Sequence, residues 1–158
     1  MKKIKNIGLL LFLILSTLSF SYQVNYDDMV DIVLRNYPQS RVTKIEISNY
    51  KGKTVYEGET FNKGQKIEFI IDVNTGEVYK MNPNYDDEYN PSYNLPITFE
   101  QASKIALDNS FNGRVKSIEL KNIDKKAYYT VEVKEDKSEK EINIDANSGK
   151  ILTIKESI

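Results

Sequence analysis

The sequence has no cysteine, no histidine and no tryptophan among its 158 residues. Without cysteine no disulfide can staple the fold, so a packed core has to hold it together. Without histidine the commonest general base is gone, and with it Ser-His-Asp and Cys-His nucleophile systems and His-ligated zinc. Only carboxylates, or Lys and Tyr in unusual roles, remain for catalysis, so the chain is not expected to be an enzyme. Basic charge is also in short supply. Without the three lysines near the N-terminus, 19 basic residues face 23 acidic ones. Nucleic-acid binding is not expected, because phosphate contacts need clustered Lys and Arg.

Long apolar runs are scarce, and the one that stands out lies at the start. Lys2, Lys3 and Lys5 precede an almost wholly apolar stretch from Ile7 to Leu15, and Ser19-Phe20-Ser21 follows. This reads as a secretory signal peptide over residues 1–21, cut between Ser21 and Tyr22. The run is shorter than the roughly 20 residues that span a bilayer. Membrane attachment is therefore expected only if the leader stays uncleaved, and without a cysteine after it the chain does not read as a lipoprotein. The destination is the periplasm, the cell surface or the medium.

What is present is a repeat. Shifted by 73 residues, the chain matches itself without a gap. Ile32, Leu34 and Asn36 fall on Ile105, Leu107 and Asn109. Arg41, Val42, Ile45 and Glu46 fall on Arg114, Val115, Ile118 and Glu119. Tyr56 falls on Tyr129, and the stretch DVNTGEV (72–78) falls on DANSGKI (145–151). One register held this long indicates duplication.

Each copy opens with a helix. Thr98 caps the second, with Gln101 placed for a capping box, and Asn25 is the matching cap of the first. Met29, Ile32 and Val33 give one apolar face, as do Ala102, Ile105 and Ala106. Asp27 and Asp28 suit the helix dipole, and Pro38 and Gly113 mark the exits. Four short runs follow in each copy: 41–48, 54–61, 66–72 and 77–81, then their counterparts. Ile45 and Ile47 are placed on one side of the first run, with Lys44 and Glu46 on the other. The expected fold class is α+β: two tandem units, each one helix packed on a four-stranded antiparallel sheet. The units span 22–81 and 97–158. Residues 82–96, with Pro83, Pro91 and Pro96, read as the linker.

The repeated motif invites two readings. As a turn, Asp72 and Asp145 accept hydrogen bonds from backbone N–H groups, Asn74 and Asn147 lie in the loop, and Gly76 and Gly149 supply a positive φ. Val78 and Ile151 then point back to the core. As a calcium loop it fails. Gly stands where an oxygen ligand belongs, Pro83 takes the place of the terminal Glu in the first copy, and in the second, which does have Glu156 at that place, Lys150 replaces the loop Gly. No metal or cofactor is expected.

These residues resemble the PepSY domain family. The likeness rests on the EQASKIAL helix, on Gly113, Val115 and Ile118, on Tyr129, Val131 and Val133, and on the Asp-x-x-Thr/Ser-Gly-x-Val/Ile hairpin. Unit 1 departs from the pattern at Met29, Ser40 and Gly58. The resemblance implies a domain found in propeptides of secreted metallopeptidases, where it is associated with inhibition or chaperoning, and it brings no catalytic residues. The expected partner is an exported protein, such as a peptidase. The alternative is a structural or assembly role in the envelope.

Two surfaces are candidates for contact. Glu46, Glu59, Glu68, Glu119, Glu132 and Glu141 are placed on the sheet face away from the helices, as a solvated face or an acidic platform. In the linker, Tyr85, Asp86, Asp87, Glu88 and Tyr89 combine aromatic anchors with charge. Tyr56 and Tyr129 read as core residues with wet hydroxyls.

Overall fold

A computed structural model describes residues 23–84, 95–123 and 126–158. The expected leader, the expected cleavage site at Ser21 and Tyr22, and most of the stretch read as linker, including Tyr85, Asp86, Asp87, Glu88 and Tyr89, lie outside the described residues. No helix among the described residues is long and apolar enough to cross a membrane.

Unit 1 runs α1 (Tyr26–Asn36), β1 (Arg41–Tyr50), β2 (Lys53–Asn62), β3 (Gln65–Asp72) and β4 (Val78–Asn84). Unit 2 runs α2 (Phe99–Asp108), β5 (Arg114–Ile123), β6 (Lys126–Lys134), β7 (Glu139–Asp145) and β8 (Ile151–Ser157). Both helices start in full capping boxes. Thr98 pairs with Gln101, and Asn25 pairs with Asp28. Asp28 therefore does more than face the dipole, since its carboxylate accepts from the Asn25 N–H.

Within each unit the strands form a meander, and the two meanders join. β1 pairs antiparallel with β5, giving one sheet of eight strands in the order β4-β3-β2-β1-β5-β6-β7-β8. The joining register is Lys44 to Glu119, Ile45 to Ile118 and Glu46 to Ser117. Ile118 is the repeat counterpart of Ile45, so a local two-fold axis passes between these two isoleucines. Bulges at matched places, between Val42 and Lys44 and between Val115 and Ser117, border the seam on both sides.

The helices follow the same two-fold relation. Asp27 Oδ2 on α1 accepts from Thr98 Oγ1 at 3.2 Å, and Glu100 Oε2 on α2 accepts from the Tyr26 N–H at 3.2 Å. Glu100 is the counterpart of Asp27. Each helix thus places a first-turn carboxylate at the start of the other, where the dipole favours negative charge. The buried residues of both units form one continuous cluster.

Three expectations need correction. Ile47 is 40% exposed although it shares a strand face with fully buried Ile45. Its counterpart Leu120 is buried beside Val30 of α1, whereas the α2 residue matching Val30 is Ser103, too short to give the same cover. Val78, at the start of edge strand β4, is likewise exposed, while its counterpart Ile151 at the start of edge strand β8 packs partly buried against the core. Finally, β4 continues through Pro83 to Asn84, into the stretch read as linker. Proline is tolerated there because an edge strand needs ladder donors toward one neighbour alone.

Candidate functional site

The repeated motif closes a hairpin in each unit. Asp72 Oδ1 accepts from the N–H groups of Asn74 and Thr75, both at 2.9 Å. Asp145 Oδ1 accepts from those of Asn147 and Ser148, at 3.0 and 2.8 Å. Gly76 and Gly149 take φ of 72° and 71°. They also lie against the helix, since a Cβ at Gly76 would come within 2.9 Å of Ile32 Cδ1 and one at Gly149 within 3.2 Å of Ile105 Cδ1. The same motif therefore sets the turn and lets it tuck beneath the helix. Both carboxyls are held below the usual carboxylate range. At Asp72 the leading cause is the hydrogen bond from the Tyr79 hydroxyl, and at Asp145 it is the Ser148 N–H. Among the described residues, no group of three or more acidic side chains comes together to hold a metal ion.

Tyr56 and Tyr129 do not have wet hydroxyls. Tyr56 donates to the Val24 carbonyl at 2.6 Å, and Tyr129 donates to the Ile97 carbonyl at 2.7 Å. Each bond ties the segment entering a helix to the second strand of its own unit. Burial pushes both phenols up to about 12. Each ring also meets the first aromatic of its helix, Tyr26 at 5.3 Å and Phe99 at 5.1 Å between centroids. The sequence shows only that the two tyrosines occupy matched positions; the acceptor lies 32 residues away in both copies.

The outer sheet face is not an acidic platform. Of the six glutamates placed there, five have a lysine close by: Glu46 with Lys44 at 3.6 Å, Glu59 with Lys66 at 3.4 Å, Glu68 with Lys80 at 3.0 Å, Glu119 with Lys121 at 3.1 Å and Glu141 with Lys155 at 3.2 Å. Lys44 also stands between Glu59 and Glu119 in the cross-strand register. The charges interleave, so the face has little field to steer a basic partner.

Sequence reasoning missed a groove on the other face, at the seam. It encloses about 410 Å³, within the usual range for small-ligand and side-chain pockets. One wall is the flank of α1, where Asp27, Val30, Asp31 and Leu34 follow helical spacing. The opposite wall is Leu95, Ile97 and Phe99 at the entry to α2, and the floor includes Val42, Leu120 and Tyr129. No single unit builds it, which is why a reading unit by unit did not reveal it.

With this geometry in place, comparison with known proteins is direct. The PepSY profile, described as "Peptidase propeptide and YPEB domain", matches residues 23–82 and again 96–155. The chain belongs to the PepSY family. The two matches coincide with the two helix-plus-four-strand units, so the duplication is a tandem of PepSY domains. A crystal structure of a candidate lipoprotein from Clostridium difficile 630 is similar, at 25% identity with a TM-score of 0.64, covering 86% of this chain and 95% of that one. No curated protein matches the chain.

Proposed function

We propose that this protein is an exported, non-catalytic binding module that engages and regulates an exported peptidase. The observation that carries the reading is the double match to a family described by its occurrence in peptidase propeptides. Export is supported by the basic, apolar, small-residue pattern at the N-terminus and by the likeness to a candidate lipoprotein. The geometry is suited to binding. Two units locked into one sheet present a rigid surface, and rigidity lowers the ordering cost of association.

The test is affinity capture. The exported chain is immobilised and the secreted and envelope fraction of the source cell is passed over it at low and high salt. A peptidase retained at equimolar level, with its activity altered when the free chain is added, is the expected result. Diffuse retention that salt removes, with every exported peptidase unaffected, would contradict it. The lipoprotein description of the similar structure favours a second reading, an envelope assembly component held near the membrane. That reading predicts co-fractionation with membranes and no effect on peptidase activity.

A further inference from the structure

We propose that the seam groove binds an extended peptide segment that carries an apolar side chain next to a lysine or arginine. This rests on the binding-module reading above and names the chemistry of the contact.

Three observations converge on that occupant. The groove's walls and floor are largely apolar, from Val30 and Leu34 on one side to Phe99 and Leu120 on the other. Val30 and Leu34 are half-buried and lie off the α1 face that packs on the sheet, where Met29 and Val33 are fully buried. An apolar side chain of moderate size fits such a slot and gains by leaving water.

The second observation is charge. Asp27 and Asp31 sit on the groove's α1 wall, one helical turn apart. Most carboxylates on the outer sheet face have a lysine within 3.6 Å. Among the described residues, neither Asp27 nor Asp31 has an ion-pair partner. Asp27 accepts only from the Thr98 hydroxyl, and Asp31 is exposed. Arg41 also lines the groove, so its three charged side chains leave one net negative charge, which a cation beside the apolar group would balance.

The third is a hydroxyl. Ser40 lines the groove, and its Oγ is buried with no hydrogen-bond partner among the described residues. A buried hydroxyl left unpaired is costly. A turn of the Ser40 side chain toward the groove would let a peptide backbone supply that partner, which favours an extended chain over an apolar small molecule.

Fluorescence anisotropy with the exported chain tests this. The probe is a labelled hexapeptide amide, Ser-Ala-Leu-Lys-Ala-Ser, with matched controls in which Leu becomes Ser or Lys becomes Glu. The Leu-Lys probe is expected to bind at least tenfold tighter than either control. Asp31→Lys, a change at an exposed helix position, is expected to reverse the order so that the Leu-Glu peptide binds at least tenfold tighter. Glu132→Lys on the outer sheet face is expected to change nothing. Equal binding of all three probes, binding of none, or an order that Asp31→Lys leaves intact overturns the proposal. So does a self-association of the chain that Val30→Lys abolishes, because a second copy would then fill the groove. Capture of exported proteins is run in parallel with Asp31→Lys. If wild type and variant retain the same partner equally, the groove is wrong and the binding-module reading stands. If neither probe nor exported protein is retained, that underlying reading fails as well.

Discussion

The two units share a frame and differ in what fills it. In both, a capping box starts the helix, a tyrosine hydroxyl holds the entering chain, and an Asx turn closes the last hairpin. The core between helix and sheet is packed differently. Unit 2 sets Ala102 and Ala106 over Val131 and Ile142, all fully buried. Unit 1 sets Met29 and Val33 at the matching helix positions, with Gly58 and Phe69 paired across the sheet. A Cβ on Gly58 would collide with the Lys44 carbonyl oxygen and come within 2.5 Å of the Phe69 ring. Gly58 is thus the space that Phe69 occupies, and a large-small pair has replaced a medium-medium one. Directional hydrogen bonds are kept because a lost partner strands a buried group, whereas packing tolerates exchange if total volume is conserved.

The turns differ in the same spirit. In unit 1, Tyr79 donates to Asp72 Oδ2 at 2.8 Å, and Lys53 Nζ donates to the Tyr79 hydroxyl oxygen at 2.6 Å. Tyr50 stacks on Tyr79 with centroids 5.8 Å apart. Unit 2 has Leu152 where Tyr79 would be, half exposed, and Asp145 relies on Ser148, whose Oγ donates at 2.9 Å.

The sharpest way to break the comparison is to move one unit's packing into the other. Gly58→Val alone is expected to destabilise by about 3 kcal/mol, from overpacking against backbone and ring. Adding Phe69→Ile, which recreates the unit 2 pair, is expected to recover only the part of that loss owed to the ring, because the Lys44 carbonyl still meets the new Cβ. Urea unfolding followed by circular dichroism measures both. If the single variant is neutral, the exchange of volumes is not what distinguishes the units.

Next are the shared hydroxyls. Tyr56→Phe and Tyr129→Phe are each expected to cost about 1–3 kcal/mol, because each strands a carbonyl. Their near equality is the point, and a cost confined to one unit would refute a common frame. Both phenols have folded pKa values raised to about 12, above the unfolded value of about 10. Their contribution is complete below the unfolded value and is lost as pH rises through the folded one. Each Phe variant is expected to flatten part of the alkaline limb of stability against pH.

Asp72→Asn is expected to cost about 1 kcal/mol at neutral pH through weakened hydrogen bonds. Because the folded Asp72 pKa is lowered, its contribution is present above the ordinary carboxylate value and is lost as pH falls through the depressed one. The acid limb of the melting curve should be shallower in Asp72→Asn. Tyr79→Leu, which gives unit 1 the unit 2 residue, should weaken the Asp72 dependence and leave that of Asp145 unchanged.

The smallest effect is expected on the outer face. Glu119→Gln, which breaks the pair with Lys121 at 3.1 Å, should change stability by under about 1 kcal/mol, and less in high salt. A larger loss would mean that these pairs hold the seam together.

The 73-residue offset made most of the fold legible, because local rules for caps, alternation and turns repeat with the sequence. The seam was not legible. β1 and β5 carry ordinary alternation around Ile45 and Ile118, and nothing local states that an edge will pair with its own copy. The tyrosine bonds were hidden because their acceptors are backbone carbonyls, which have no residue signature. Gly58 stood out as a departure, but its reason lies across the ladder at Phe69. The groove follows from the seam and was invisible without it, while the glutamate face was visible and misleading until the lysines beside it were placed.

That the two repeats form one body joined through β1 and β5 is the claim on which the groove depends. Hydrogen exchange read by mass spectrometry, on peptides covering residues 44–46 and 117–119, tests it most directly. The account predicts protection there matching the centre of β2, since both strands are interior to the sheet. Exchange as fast as along the outer edge of β8 would show that the units are separate and that the groove between them does not exist.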